Sequence, residues 1–478
     1  MFSFFLAGKV YLAERGERCT LVRVMRANNG RTGSGLLVIA AIALAATVAG
    51  CTSASGNESV SQAGNASATA TPGKGGSPAA TPTPDGPVVA VWPASGAKAA
   101  DPAAGVTVTS TRGTLTSVTV TPAGATAGSL AADSGNPSGP VPGTFSATGT
   151  RWHSTWALGV AQRYTVTTIA TYRGITKTTT SAFTTLTPHS TFTTEIFEGE
   201  GQTYGVGMPL LLTFSQPIKN KAAVERALQV KTSKPIVGAW YWDTDESLAF
   251  RPRSYWPAHT KVTLTGHLDG VEGAAGVYGF HTLTQSFTIG RSVIAVASTA
   301  SHHTKIYIGG KLAYTWPISS GRPGDDTPNG TYLTIEKENP VLMKGPGYSL
   351  EVPWSVRFTW SGDYYHDAYW SVGEQGFENV SHGCVNLPPA AAQTYYKLAV
   401  PGDPITITAS PKAGTWDNGW TYWFLTWPQM LRGSATHEAV RAGPSGSSFV
   451  DPASLSPVHL SSPLESAASG IWGNGAAS

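Results

Sequence analysis

Cysteine occurs three times in this 478-residue chain, as Cys19, Cys51 and Cys384. Cys384 stands apart from the other two, in Ser381-His382-Gly383-Cys384-Val385-Asn386, and a second histidine, His366, lies 18 residues before it in Tyr364-Tyr365-His366-Asp367. The thiolate, not the thiol, attacks carbonyl carbon, so a nucleophilic cysteine needs a base or a positive neighbour. An adjacent glycine lets the backbone approach closely, and main-chain N–H groups there can hold an oxyanion. These residue types point to acyl transfer, with Cys384 as nucleophile and His366 as general base. A lone cysteine can also be a buried structural residue, and His366, His382 and Cys384 could be read as a metal site. The paired spacings that mark zinc sites are missing. No metal or other cofactor is expected, because the thiolate carries the chemistry.

Several separated segments, in this order, resemble the L,D-transpeptidase family (YkuD-like catalytic domain), whose signature is a histidine followed by Ser/Thr-His-Gly-Cys. The likeness runs from His366 through Trp370-Ser371-Val372-Gly373-Glu374-Gln375-Gly376 and the Cys384 segment to Pro401-Gly402-Asp403-Pro404-Ile405. It is most similar to actinobacterial members with two immunoglobulin-like modules ahead of the enzyme. The resemblance implies that Cys384 attacks the carbonyl of the third residue, a diamino acid, of a peptidoglycan tetrapeptide stem and expels the terminal D-alanine. Transfer to the side-chain amine of another stem would then form a 3→3 crosslink. It also implies that carbapenem-type inhibitors add to the cysteine.

The same resemblance assigns site residues. The N–H groups of His382 and Gly383 would help hold the oxyanion. The histidine of the family is oriented by the backbone carbonyl of the next residue, usually serine. Here that residue is Asp367, whose carboxylate could also stabilise the imidazolium. Ser381 and Trp370 fall at the substrate, and Asn386 contacts substrate or braces the loop. Tyr348 and Met343 fall in a lid that is shorter than in the relatives. Other readings stay open: an L,D-carboxypeptidase or another exported cysteine acyl hydrolase, and a wall-binding lipoprotein whose enzyme domain has decayed. Retention of both His366 and Cys384 argues against decay.

The remaining cysteines locate the protein. Arg26 and Arg31 precede an apolar run from Leu36 to Val48, which ends in Val48-Ala49-Gly50-Cys51. This is the charged, apolar, small-residue order of an export signal. The ending resembles a lipobox, with Cys51 as the lipidated first residue of a membrane-anchored lipoprotein on the outer face of the cytoplasmic membrane, in the cell wall. A start at Met25 would give a signal of ordinary length. A retained anchor is the alternative, but thirteen residues fall short of the about 20 needed to span a bilayer.

Composition and pattern supply the elements that must position the site. Charged residues make up 13%, with 54 Gly, 33 Pro and 15 Trp, against roughly 25% charged in typical soluble domains. That mix suits turn-rich β modules outside the cytoplasm. A net charge of +3 without a long basic stripe gives no case for nucleic acid. The expected fold is mainly β: two immunoglobulin-like β-sandwiches, then a β-rich catalytic domain with a short helix and a Trp-rich C-terminal element. The expected divisions are 1–51 signal and lipobox, 52–87 disordered linker, 88–187 and 188–290 sandwiches, 291–408 catalytic domain, 409–434 Trp-rich element and 435–478 disordered tail. Alternating runs such as Tyr164-Thr165-Val166-Thr167 and Val262-Thr263-Leu264-Thr265 carry the sandwich reading. Gly309-Gly310 marks a hairpin turn, and Pro388 to Ala399 reads as the helix of note. Trp416, Trp420, Trp423 and Trp427 are spaced to form one helical stripe against the catalytic domain.

Overall fold

The structure is a computed structural model that describes residues 85–123, 139–345 and 348–456, all within one compact unit. The export-like segment, Cys51 and nearly all of the linker lie outside these residues. The first sandwich pairs a sheet of Val88–Trp92, Thr107–Arg112, Arg151–Ser154 and Gly143–Phe145 with one of Thr114–Pro122, Arg163–Tyr172 and Ile175–Thr184. Period-two alternation decides which residues face inward. Tyr164, Val166 and Ala170 of one strand turn into a core with Val106, Val108, Trp152 and Phe183, while Thr165 and Thr167 take the opposite face.

The second sandwich is built the same way, around Leu210, Leu212, Trp240, Phe250, Trp256, Val262 and Leu264. One of its sheets has six strands, in the order Gly446–Val450, Ala439–Gly443, Ile236–Trp242, Ser247–Pro252, Leu210–Phe214 and Thr194–Ile196. The first two of these correct the expected disordered tail. Residues 439–450 form a hairpin that pairs with Ile236–Trp242, in the register Ile236↔Ala442 and Gly238↔Val440. The segment has few large apolar groups, but Phe449 packs against the sandwich core and small inward residues fill the rest of the contact. Ala439, Val440 and Ala442 are buried there.

The Trp-rich element also differs from expectation. It forms no continuous helix: a 3-10 turn, Tyr422–Phe424, and a short helix, Trp427–Gly433, are separated by extended backbone at Leu425 and Thr426. Its rings therefore diverge. Trp416 meets Tyr241, Trp420 sits between Phe197 and Trp360, and Trp423 packs on Tyr255 and donates to the Gly207 carbonyl at 2.7 Å. Most of these partners belong to the second sandwich, while Phe424 meets Tyr332 of the catalytic domain. The element is a strap across the junction rather than a stripe on one side of it.

The catalytic domain has a five-stranded sheet, ordered Lys311–Pro317, His303–Ile308, Val293–Ser298, Pro404–Thr408 and Gly330–Leu333. The Gly309-Gly310 turn closes the hairpin of His303–Ile308 and Lys311–Pro317, with Ile308 paired to Lys311. A second sheet runs Glu336–Glu338, Ser355–Arg357, Tyr364–Asp367 and Val385–Leu387. Helix Pro389–Leu398 follows the last strand directly and has proline in its first turn. It buries Ala391, Ala392 and Tyr395, the last 5.0 Å from the Tyr365 ring.

A buried carboxylate pins the strap to the second sandwich. Glu225, on helix Lys221–Arg226, is fully buried and accepts bonds from Trp242 Nε1, Ser434 Oγ, Ala435 N, Thr436 N and Thr436 Oγ1 at 2.6–3.2 Å. Replacing Glu225 with Ala strands these donors, which is expected to cost on the order of 3 kcal/mol. Chemical denaturation measures this directly. An unchanged midpoint would mean that ring packing alone holds the strap.

Candidate active site

Strands Tyr364–Asp367 and Val385–Leu387 lie parallel, with Tyr365 opposite Val385 and His366 opposite Asn386. Alternation sends Tyr365 into the core beneath and His366 to the other face. Cys384 immediately precedes the paired residues, so the register brings it to the Tyr364 end of the same strand pair. The thiol is directed at the Gly362 carbonyl, 3.8 Å away, and the Tyr364 backbone N–H also faces the sulfur. Burial, helped by the Asp363 carboxylate, pushes the thiol up to about 12, with the Tyr364 N–H opposing.

His366 Nδ1 lies 2.8 Å from the Asp367 carbonyl oxygen. A carbonyl only accepts, so Nδ1 carries the hydrogen and the neutral ring presents its lone pair at Nε2. Burial lowers the imidazole to about 4, against the raising effect of that carbonyl. Both shifts favour the uncharged forms, a thiol at half-buried Cys384 and a neutral imidazole at His366. The Asp367 carboxylate takes no part in holding the ring. It is buried, with Oδ1 unbonded, and burial raises its pKa against the Tyr369 N–H.

The turn before the nucleophile is held by its own small residues. Ser381 Oγ accepts from Gly383 N at 3.1 Å and donates to Cys384 O at 2.6 Å. Thr327 Oγ1 donates to Gly383 O at 2.6 Å and accepts from Gly321 N at 2.9 Å. Gly383 has φ +125°, and a Cβ there would lie 2.4 Å from Asp363 Oδ1, so only glycine fits. These bonds correct two expectations. Ser381 braces the turn instead of facing substrate, and the Gly383 N–H is already taken by Ser381, so it is not free for an oxyanion. The His382 side chain is exposed.

The structure sorts the other expected residues. Trp370 stacks on His366 with ring centroids 5.8 Å apart and remains 45% exposed, as a wall beside the base. Asn386 is buried: Nδ2 donates to Ser371 Oγ at 2.9 Å and its backbone pairs with Ser319, so of the two roles expected for it the structure shows the brace, here on the Trp370 loop. Met343 pairs with Leu350 in the short hairpin of Val341–Gly345 and Tyr348–Val352. The Tyr348 backbone closes that hairpin, and its side chain lies outside the described residues. Just past the hairpin, the Pro353 carbonyl accepts from Asp367 N, which ties the lid base to the histidine strand. Among the described residues no group of three or more His, Cys, Asp or Glu could hold a metal ion.

Sequence reasoning missed two residues. Thr327 lies in the Thr-Pro-Asn-Gly segment, which reads as loop chemistry until the fold brings its hydroxyl to Gly383. Asp363 lies in Ser361-Gly362-Asp363, an ordinary turn sequence, and only the strand register sets it against the nucleophile's turn.

Residues 292–407 match the L,D-transpeptidase catalytic domain family, and residues 97–272 match the bacterial Ig domain family. L,D-transpeptidase 2 of Mycobacterium tuberculosis is 31% identical over 342 residues, covering 69% of this chain and 80% of that protein. L,D-transpeptidase 5 of the same species is 35% identical over 262 residues, covering 52% and 58%. Among solved structures, an LD transpeptidase in complex with imipenem is 34% identical, with a TM-score of 0.39 over 45% of this chain and 97% of that one. An L,D-transpeptidase from Mycobacterium smegmatis is 33% identical, with a TM-score of 0.38 over the same shares.

A thiol that burial pushes up to about 12 has a reactivity signature. Alkylation of Cys384 by iodoacetamide should rise about tenfold per pH unit from 6 to 9, because the thiolate fraction climbs throughout that range. Intact-mass kinetics would read it. A rate that levels off near neutral pH would show a preformed thiolate and overturn the neutral-pair assignment.

Proposed function

The chain belongs to the L,D-transpeptidase family, and from that premise we propose that it forms 3→3 crosslinks in peptidoglycan through an acyl-enzyme on Cys384. The observation that carries the reading is the His366 tautomer, with Nδ1–H bound to the Asp367 carbonyl and Nε2 left as a base on the strand beside Cys384. In the first half-reaction His366 Nε2 takes the thiol proton as sulfur attacks the third-residue carbonyl of a tetrapeptide stem. The tetrahedral oxyanion is met by backbone N–H groups at the site, of which the Tyr364 N–H already faces the sulfur. Collapse expels D-alanine, whose amine takes the proton back from the imidazolium. In the second half-reaction the side-chain amine of another stem attacks the thioester, its proton passes by way of His366, and the thiol is restored. Water in place of the amine would make the enzyme an L,D-carboxypeptidase.

Purified protein with a disaccharide-tetrapeptide tests this directly. Dimers of stems are expected together with released D-alanine. D-alanine release alone would make it a carboxypeptidase, and neither product would leave only a wall-binding role. We also expect a carbapenem to add covalently to the wild type. Cys384→Ala should show no adduct by intact mass while keeping its fold. The same adduct on the Ala variant would remove Cys384 from the mechanism.

The proposed location is the outer face of the cytoplasmic membrane, with the modules reaching into the wall. It rests on the lipobox-like Val48-Ala49-Gly50-Cys51. Replacing Cys51 with Ala should release the protein from the membrane fraction or leave its signal uncleaved. A variant still cleaved before position 51 and still membrane-bound would contradict the lipid anchor.

A further inference from the structure

Asp363 is an acid in an awkward place. Its Oδ2 accepts from Thr359 Oγ1 at 2.7 Å and Ser361 Oγ at 3.2 Å, and its backbone N–H donates to Thr359 Oγ1 at 2.7 Å, so the carboxylate is held in one orientation. That orientation turns Oδ1 onto the Gly383 Cα, within 2.4 Å of where a side chain would begin. Its chain neighbours on either side, Gly362 and Tyr364, are the residues whose backbone groups face the Cys384 sulfur. Among the described residues Oδ1 has no hydrogen-bond donor, and the carboxylate has no ion pair. Arg357, the cation closest in sequence, is committed to Glu336 and to the carbonyls of Thr359 and Trp360. Arg357 and Lys412 act on Asp363 only at longer range.

A negative charge beside a thiol that must shed its proton works against the first half-reaction, so its presence calls for a role in the second. There the incoming group is an alkylamine, which in water is an ammonium ion with a pKa of about 10.4. An ammonium needs a carboxylate to dock against and must lose a proton before it can attack. We propose that Asp363 Oδ1 receives the ammonium of the acyl acceptor beside Cys384 and accepts its first proton, which makes Asp363 a catalytic residue of the transfer step. The inference rests on the transpeptidase reading above and adds the acceptor side of the site.

The step balances. The ammonium gives one proton to Asp363 and stays hydrogen-bonded to it as a free amine. The amine nitrogen attacks the thioester carbonyl, the C–N bond forms and the C–S bond breaks. Its second proton passes through His366 to the departing sulfur, and Asp363 returns its proton to water as the product leaves. Burial raises the Asp363 pKa and so favours its brief protonation, with the Thr359 and Ser361 hydroxyls opposing.

The test uses the full chain and a stem tripeptide with a free side-chain amine. Lacking the terminal D-alanine, this tripeptide is an acceptor but not a donor. Calorimetry on Cys384→Ala should show binding that weakens on the order of tenfold or more when Asp363→Asn is added, the loss expected for one charge-assisted bond. The tripeptide with its amine acetylated should bind both proteins equally. In the otherwise wild-type enzyme, Asp363→Asn should raise the acceptor KM and shift products from dimer toward hydrolysed stem, while carbapenem acylation becomes no slower, because the charge opposing thiol ionisation is gone. Asp363→Ser, which keeps a small polar group, should behave like Asn. Equal affinity of the free-amine tripeptide for the two calorimetric proteins, or no preference over its acetylated form, overturns the proposal. Failure of the transpeptidase reading shows separately, as absence of dimer from the wild type.

Discussion

The site depends on one short piece of parallel pairing. Tyr364–Asp367 and Val385–Leu387 share a register that sets Tyr365 opposite Val385. A slip of the histidine strand by one residue would turn His366 into the core and Tyr365 out to solvent. The register is protected from beneath. Tyr365 is fully buried against Tyr395, Phe358 and the Thr304 hydroxyl, and Val385 and Leu387 are fully buried in the same core. Packing under the sheet thus determines which face the base occupies, and the turn at Gly383 can then bring the thiol to the end of the pair.

Burial sets the electrostatic state of that pair. Removing water disfavours the charged forms of both groups, so the thiol rises and the imidazole falls. The two shifts act in the same direction, toward the uncharged forms of both side chains. A resting thiol is also a weaker target for adventitious electrophiles and oxidants than a resting thiolate. Asp363 belongs to the same logic, since its carboxylate favours the protonated thiol while offering a counter-charge to any cation that enters.

The enzyme does not stand free of the module before it. Gly205 N and Gly207 N donate to the Pro401 and Gly402 carbonyls at 2.8 and 2.9 Å, a backbone-to-backbone seam. A side chain at Gly205 would collide with Asp403, so the seam requires glycine there. Asp403 is sealed beneath it, and burial pushes its carboxyl up to about 8. Across the strap, buried Arg251 donates to the carbonyls of Tyr422 and Leu425, as buried Glu225 accepts from Ser434 to Thr436. Both charges are answered mainly by neutral main-chain and hydroxyl groups rather than by each other. Such bonds demand one geometry and fix the strap against the second sandwich.

Much was legible in the order of residues, because it depends on local rules. Alternation in Arg163–Tyr172 and Lys261–Gly266 announces half-buried strands, Gly309-Gly310 announces a hairpin, and proline at the start of Pro389–Leu398 announces a helix. The histidine, the cysteine and its glycine announce acyl chemistry, since few other uses combine those side chains in that order. What the sequence could not carry was anything set by contacts between distant segments. Ser381 looks like a substrate contact and is a brace, and only the fold selects bracing for Asn386, because the Gly383 turn, Ser371 and Ser319 meet them only after folding. Residues 439–450 carry few large apolar groups, yet they pair with a strand some 200 positions back in the chain, with Phe449 against its core. The tryptophans from 416 to 427 are spaced for a helix, but the partners that claim their rings sit on several surfaces. The state of Cys384 and the place of Asp363 beside it come from the tertiary structure alone, because charge and proton affinity depend on what surrounds a group and not on its neighbours in sequence.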